Sequence, residues 1–210
     1  TILRGVIFNI DKTTQAINHI LSRMNQKLGR TIVRAYVSIG GQSLRTEKNF
    51  INRGLEAMVK VTPEIVDTLM DSNRSTQYPD SVILEALVQE YFLAGRTVTD
   101  PVGIQCNILE AHFINVIACQ VLKANLEKCM KMAGIEILDF KISPLVLANS
   151  LLTENEKRSG CALVDFGAAT TTVSVYTGNQ LRQLVVIPLG GDSITEDLAK
   201  SQTIEKEEAE

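Results

Sequence analysis

The chain has 210 residues, of which 45% are apolar and 21% are charged, and its formal net charge at pH 7 is −3. Lysines and arginines are scattered among the acids, so the sequence offers no basic stripe for nucleic acid or for an anionic lipid surface. No apolar run reaches the roughly 20 residues that cross a bilayer. We therefore expect a globular, cytoplasmic protein without a nucleic-acid partner.

The cysteines and histidines point to no metal or redox site. Four cysteines lie far apart without a Cys-x-x-Cys pair, which predicts free thiols in a reducing compartment. His19 and His112 have no cysteine or acidic neighbour at ligand spacing, and we interpret both as structural.

The first forty residues predict a helix followed by a strand. Asp11 or Thr13 can cap the helix, and Gly29 is placed to end it. The segment "TIVRAYVSIGG" then alternates apolar and polar residues, the pattern of a half-buried strand.

The middle of the chain predicts a small module in which one helix packs on an antiparallel sheet. We interpret "QSLRTEKNF" as a polar link, after which Thr62 and Pro63 begin a short helix. Residues 81–119 predict strands, with a turn at Ala94-Gly95.

Helical spacing returns between Leu122 and Ala133, and Gly134 precedes the strand "IEILDFKI". We expect Ser143 and Pro144 to cap the helix "PLVLANSLL", and "TENEKRSG" is interpreted as a loop. Helices separated by strands at this spacing predict a three-layer α/β fold.

The segment "CALVDFGAATTTVSVY" predicts two strands joined by a tight turn of small residues. Successive backbone N–H groups in such a turn can hold a phosphate, and a nearby carboxylate can hold a magnesium-bound water. An ordinary tight turn also explains an Asp-x-Gly hairpin when nothing else matches. The residues that would supply the small turn, the hydroxyls and the carboxylate are Gly167, Ala168, Ala169, Thr170, Thr171 and Asp165.

A second glycine signal follows in "IPLGGDSITEDLA", where a strand enters Gly190-Gly191 and a helix begins. We expect Asp192 or Ser193 to cap this helix. A helix N-terminus behind two glycines can contact an anion or a nucleotide.

Across nearly its whole length the chain resembles the bacterial cell-division actin homologue FtsA. The resemblance is carried by "VRAYVSIGGQSLRT", "VKVTPEIVDTLM", "DPVGIQCNILEAHFINVIA", "CALVDFGAATTTVSVY" and "VIPLGGDSITEDLA". It implies an actin-like (ribonuclease H-like) α/β fold, present here as a fragment, with an inserted small α+β subdomain called 1C. The implied division is 1–41 as part of subdomain 1A, 42–119 as subdomain 1C, 120–158 as the return to 1A and 159–210 as the first part of subdomain 2A.

The resemblance also implies a nucleotide site and its cofactors. It assigns Asp165, Gly167, Ala168, Thr170 and Thr171 to the second phosphate-binding hairpin, places Gly190 and Gly191 beside the nucleotide, and makes Glu210 part of the helix whose acid approaches the ribose. ATP and magnesium are the implied cofactors of the full-length protein, with Asp165 holding the metal through water.

The departures from the family pattern limit this expectation. The family usually has glycines where Ala168 and Ala169 stand, and an alanine at a positive φ is strained by about 1 kcal/mol or more. The amino-terminal phosphate hairpin, the rest of 2A, subdomain 2B and the carboxy-terminal anchor have no counterpart here. We therefore expect that the fragment alone does not hold ATP tightly.

The implied function is a division scaffold rather than an enzyme, with weak ATPase activity at most and no catalytic residue assigned. The family links the division tubulin FtsZ, mainly through 2B, to the inner face of the cell membrane, which it reaches through its carboxy-terminal helix. It also self-associates and recruits later division proteins through 1C. Two alternatives remain open at this point: a PilM-like pilus-assembly actin homologue, and a small-molecule kinase or phosphatase of the same superfamily.

Overall fold

The computed structural model describes residues 2–210, apart from the side chain of Glu56. Among these residues no helix is long and apolar enough to cross a membrane. The helices and strands follow one another as β1 (Ile2–Leu3), β2 (Val6–Ile7), α1 (Ile10–Leu28), β3 (Arg34–Ile39), β4 (Arg45–Lys60), α2 (Pro63–Arg74), β5 (Ser81–Leu93), β6 (Arg96–Val98), β7 (Gln105–Cys119), α3 (Gln120–Met132), β8 (Glu136–Ile142), α4 (Ser143–Leu151), α5 (Glu154–Ser159), β9 (Cys161–Phe166), β10 (Thr171–Thr177), β11 (Gln180–Ile187), α6 (Gly191–Gln202) and α7 (Lys206–Ala209).

Most strands belong to one seven-stranded sheet in the order β6-β5-β7-β4-β11-β10-β9. All its neighbouring pairs are antiparallel. Strands β3 and β8 form a separate parallel pair, as expected when a long crossover connects them. The fold class predicted from the sequence, a mixed α/β fold, is confirmed.

The buried apolar side chains of the described residues form three cores. One lies between α2 and the sheet and contains Leu69 and Phe113. A second lies between α1, α3 and the β3–β8 pair and contains Val37 and Met130. The third, which we call the junction core, joins the end of β7 and α4 to the β10–β11 hairpin; its buried members are Leu44, Ile114, Val116, Ala118, Ile142, Ala148, Tyr176, Leu181, Leu184 and Val186.

The predicted module of one helix on an antiparallel sheet is present, with α2 beginning at Pro63 and a turn between β5 and β6 at Ala94-Gly95. We call this unit of β4, α2, β5, β6 and β7 the α2 module. The interpretation of "QSLRTEKNF" as a link is wrong, because β4 begins at Arg45 and runs for 16 residues. The sequence analysis missed this strand because many of its side chains are polar, and only every second one faces α2.

A buried amide network fixes α2 on the sheet. Asn73 Nδ2 donates to Asn115 Oδ1 at 2.7 Å, and Asn115 Nδ2 donates back to Asn73 Oδ1 at 2.9 Å. Asn49 Nδ2 also donates to Asn73 Oδ1, and Asn115 Nδ2 to the hydroxyl of Tyr78. Buried polar groups are stable when they are bonded to one another in this way.

Three further local predictions are wrong. Residues 154–159 form α5 rather than a loop, because Thr153 and Glu156 make a capping box. Helix α1 is capped by Asn9, whose Oδ1 accepts from the N–H of Lys12, rather than by Asp11 or Thr13. The N-cap of α6 is Gly190 rather than Asp192 or Ser193.

Candidate functional site

The sequence-predicted phosphate hairpin is formed by β9 and β10, which pair from Cys161↔Tyr176 to Phe166↔Thr171. The N–H of Gly167 donates to the carbonyl of Thr170 at 2.9 Å and closes a loop of residues 167–170. Within the described part of the chain, the N–H groups of residues 168–170 donate to no backbone carbonyl. A loop with successive unbonded N–H groups is a typical anion-binding arrangement.

The two alanines of this loop are unstrained. Neither Ala168 nor Ala169 is among the residues with positive φ. The expectation that alanine would be strained here is therefore wrong, because this loop conformation does not need a residue without Cβ at either position.

Helix α6 begins against the back of the same loop. The N–H of Gly191 donates to the carbonyl of Gly167 at 3.0 Å, and the N–H of Asp192 to the carbonyl of Ala168 at 2.8 Å. A Cβ on Gly190 would lie 2.4 Å from the carbonyl oxygen of Gly167. The first N–H groups of α6 are thus bonded to the hairpin, and the two glycines hold the loop in place.

The remaining polar side chains of the hairpin differ in whether they are already hydrogen-bonded within the protein. The hydroxyl of Thr171 donates to the carbonyl of Leu189 at 2.7 Å, which ties β10 to the segment before Gly190. Asp165 is exposed and lies opposite Thr172 in the sheet. Asp165 lies two residues before the loop, and its carboxylate takes part in none of the ion pairs of the described residues.

A magnesium ion could be held here only in part by protein. Among the described residues no group of three His, Cys, Asp or Glu side chains is arranged to hold a metal. One exposed carboxylate suits magnesium, which keeps several waters and shares its remaining ligands with phosphate oxygens. Asp165 therefore fits the role of a water-mediated ligand.

Glu210 lies apart from these hydrogen bonds. It follows α7, which packs on α6 with Lys206 Nζ 3.4 Å from Glu196 Oε1. The structure thus joins Gly167, Ala168, Thr171 and the pair Gly190-Gly191 through direct bonds or contacts, with Asp165 and Thr170 on the same hairpin. The role of Glu210 stays a prediction.

Sequence reasoning missed the neighbours of His112. Its Nε2 lies 2.5 Å from Glu110 Oε1, and its Nδ1 lies 3.3 Å from Glu90 Oε1. Glu110 stands two residues before His112 on a strand, a spacing that places both side chains on one face. The spacing of Glu110 and His112 on one strand could therefore have revealed this contact from the sequence.

Two family models match the chain. One, described as "Cell division protein FtsA", matches residues 162–210, which include the hairpin and α6. The other, described as "SHS2 domain inserted in FTSA", matches residues 41–117, which include the α2 module. A cell division protein FtsA from Pseudomonas aeruginosa is 33% identical over 93% of the chain. The chain belongs to the FtsA family.

Other FtsA relatives give the same picture. The chain is 29% identical to FtsA of Bacillus subtilis over 99% of its length and 29% identical to FtsA of Porphyromonas gingivalis over 98%. It spans about half the length of the curated relatives it matches: 47% of the P. aeruginosa protein, 44% of the P. gingivalis protein and 48% of the B. subtilis protein.

Solved structures show the same fold at low identity. A chain of a PilM-PilN type IV pilus biogenesis complex is similar with a TM-score of 0.58 at 16% identity, covering 99% of this chain and 57% of that one. The ethanolamine utilization protein EutJ from Carboxydothermus hydrogenoformans gives 0.52 at 14% identity, covering 99% and 47%. The fold is actin-like, and the likeness to the pilus complex extends to the fold alone.

Proposed function

We propose that this member of the FtsA family supplies the nucleotide hairpin and the recruiting module of an actin-like division scaffold. The observation that carries the proposal is the loop of residues 167–170: the N–H groups of residues 168–170 donate to no backbone carbonyl, while the carbonyls of Gly167 and Ala168 accept from α6. The proposed subdomain division is 1–41 and 120–158 for 1A, 42–119 for 1C and 159–210 for 2A.

The proposed ligand is magnesium ATP. The N–H groups of residues 168–170 would bind phosphate oxygens, and Asp165 would bind a water of the magnesium shell. Thr170 would add a hydroxyl, whereas the hydroxyl of Thr171 is already bonded to Leu189 and would serve mainly to hold the loop. The nucleotide would act by joining two lobes of the complete protein.

The proposed role of the complete protein is structural. It would link the division tubulin FtsZ to the inner face of the cell membrane, self-associate, and recruit later division proteins through the α2 module. We propose at most weak ATPase activity, because hydrolysis requires a group that positions the attacking water across a closed cleft. The named division function of its relatives supports this role.

A hybrid protein tests the proposal. This chain would replace the matched region of P. aeruginosa FtsA, fused to a fluorescent protein, in cells depleted of their own FtsA. We expect a band at midcell and restored septation. Asp165→Ala should abolish both, whereas Asp67→Ala, which removes an exposed carboxylate from α2, should leave them unchanged.

Measurements on the purified hybrid protein distinguish a failure to fold from a loss of function. Magnesium-dependent binding of a fluorescent ATP analogue should be lost in Asp165→Ala and kept in Asp67→Ala, with the same circular dichroism for both. A folded hybrid that binds no nucleotide would refute the site. A folded hybrid that binds nucleotide but never reaches midcell would refute the division role.

A further inference from the structure

Strands β4 and β11 meet at a single residue pair and then separate. Their one backbone pairing joins Arg45 to Val185. At the next position the side chain of Thr46 replaces the backbone pairing between the two strands. Its hydroxyl accepts from the N–H of Leu184 at 3.0 Å and donates to the carbonyl of Leu184 at 3.3 Å. Beyond this point β4 pairs only with β7, and its other edge has no strand partner among the described residues.

A cleft of about 480 Å³ opens where the strands separate, and we call it the β4–β11 notch. Its walls come from the α2 module on one side and from β11 on the other. The side chains that the argument uses are Lys48, Phe50, Gln89, Glu90, His112 and Arg182. None of the hairpin residues 165–171 lines it, so the notch is separate from the proposed nucleotide site.

The notch contains two cations without an acidic partner. Continuing the register of Arg45 and Val185 places Lys48 opposite Arg182 across the opening. The ion pairs among the described residues include neither side chain. Arg182 is held in position by Gln89, whose Oε1 accepts from Nη1 at 3.1 Å.

The acid among the residues that line the notch already has a polar neighbour. Glu90 Oε1 lies 3.3 Å from Nδ1 of His112, and Nε2 of that ring lies against Glu110, which does not line the notch. Lys48 and Arg182 are the charged side chains of the notch that none of the ion pairs of the described residues engages.

An apolar surface lies next to the cations. Phe50 stands two residues after Lys48 on the same face of β4, and it is 64% exposed. Its ring meets His112 edge to face at 6.4 Å between centroids. A side chain that contacts Phe50 would therefore lie two residues along a strand from one that reaches Lys48.

We propose that the notch binds an extended segment of a partner protein, which adds as a strand to the free edge of β4. Main-chain bonds along an open edge would supply affinity, as in other β-strand additions. An acidic side chain of the segment would lie between Lys48 and Arg182, and an aliphatic side chain two residues away would cover Phe50. This inference goes beyond the scaffold role by assigning a surface and the chemistry of the segment that fits it.

Fluorescence anisotropy on the 210-residue chain tests the proposal with a defined probe. The probe is a labelled peptide of sequence Thr-Val-Thr-Glu-Thr-Val-Thr, symmetric in residue type so that both strand directions can bind. We expect saturable binding that weakens at least tenfold when lysine replaces the glutamate, or when the backbone nitrogens of the central threonines are methylated. Hydrogen exchange should slow at residues 47–51 when the peptide is bound.

Variants of the chain locate the binding. Lys48→Glu and Arg182→Glu should each weaken the probe at least tenfold, whereas Lys60→Glu, an exposed lysine of the same strand outside the notch, should leave it unchanged. If a charge reversal unfolds the chain, Lys48→Gln serves instead and should weaken binding several-fold.

The following results would contradict the proposed strand addition. No binding at 1 mM peptide, equal binding of the lysine peptide, or an equal effect of Lys60→Glu would each overturn the proposal. Self-association of the chain that is lost in Lys48→Glu, without peptide binding, would identify a second copy as the occupant and would also overturn it.

Discussion

Replacing Gly190 by alanine should detach the phosphate hairpin from helix α6. A Cβ at this position would lie 2.4 Å from the carbonyl oxygen of Gly167, 2.5 Å from that of Ala168 and 2.7 Å from the carbonyl carbon of Ala168. All three are backbone atoms, so no side-chain rotation can relieve the overlap. The loop or the start of α6 must move.

The cost follows from the contacts that would be disturbed. Overpacking of this kind costs about 1–3 kcal/mol. Moving the loop also weakens the two hydrogen bonds from Gly191 and Asp192, each worth about 0.5–1.5 kcal/mol. We expect Gly190→Ala to lower the free energy of unfolding by at least about 2 kcal/mol, which moves the urea midpoint by about 1 M for a typical slope.

The neighbouring glycine provides the matched control. A Cβ on Gly191 would find its nearest atoms at 3.9 and 4.0 Å, which is ordinary contact. Gly191→Ala should therefore change the free energy of unfolding by less than about 0.5 kcal/mol. Urea unfolding followed by circular dichroism measures both variants, and hydrogen exchange should become faster at the amides of residues 191 and 192 in Gly190→Ala alone. Equal stability of the two variants would refute the reasoning.

Two further substitutions give three expected outcomes. Asn115→Leu should destabilise the chain by about 1–3 kcal/mol in urea unfolding, because it leaves the buried Nδ2 of Asn73 without its acceptor. Thr153→Ala should cost about 1 kcal/mol by the same assay through loss of the α5 cap. Bonds from Thr153 lower the pKa of Glu156, so this carboxylate stabilises the fold above its ordinary pKa and the contribution disappears as the pH falls through the lowered pKa. Thr153→Ala should therefore reduce the loss of stability on acidification, measured as the difference in urea midpoint between pH 7 and pH 3.

Local signals in the sequence predicted most of the elements correctly. The hairpin was predictable because strongly alternating strands flank a turn of small residues. Helix α2 was predictable because Thr62 and Pro63 mark its start. In each case the information lies within a few residues of the structure it specifies.

The errors arose where distant residues decide the structure. Strand β4 carries polar residues such as Asn49, whose partner Asn73 becomes visible only when α2 is packed on the sheet. Gly190 was predicted to lie beside the nucleotide, which stays a prediction, but the sequence did not reveal that its small size is required by the backbone of Gly167, more than twenty residues earlier. No local pattern encodes either contact.

The junction core explains why the hairpin and the α2 module should behave as one body. Tyr176 of β10 and Leu184 of β11 are buried in the same cluster as Val116 of the α2 module. Strand β11 touches the module at both Gln89 and Thr46 and leads directly into the Gly190 contact with the loop. A displacement of loop 167–170 cannot therefore be absorbed by the loop alone, because close-packed cores transmit strain rather than deform continuously. The strand that fixes the phosphate loop also forms one wall of the β4–β11 notch, and the geometry of each depends on the same buried side chains.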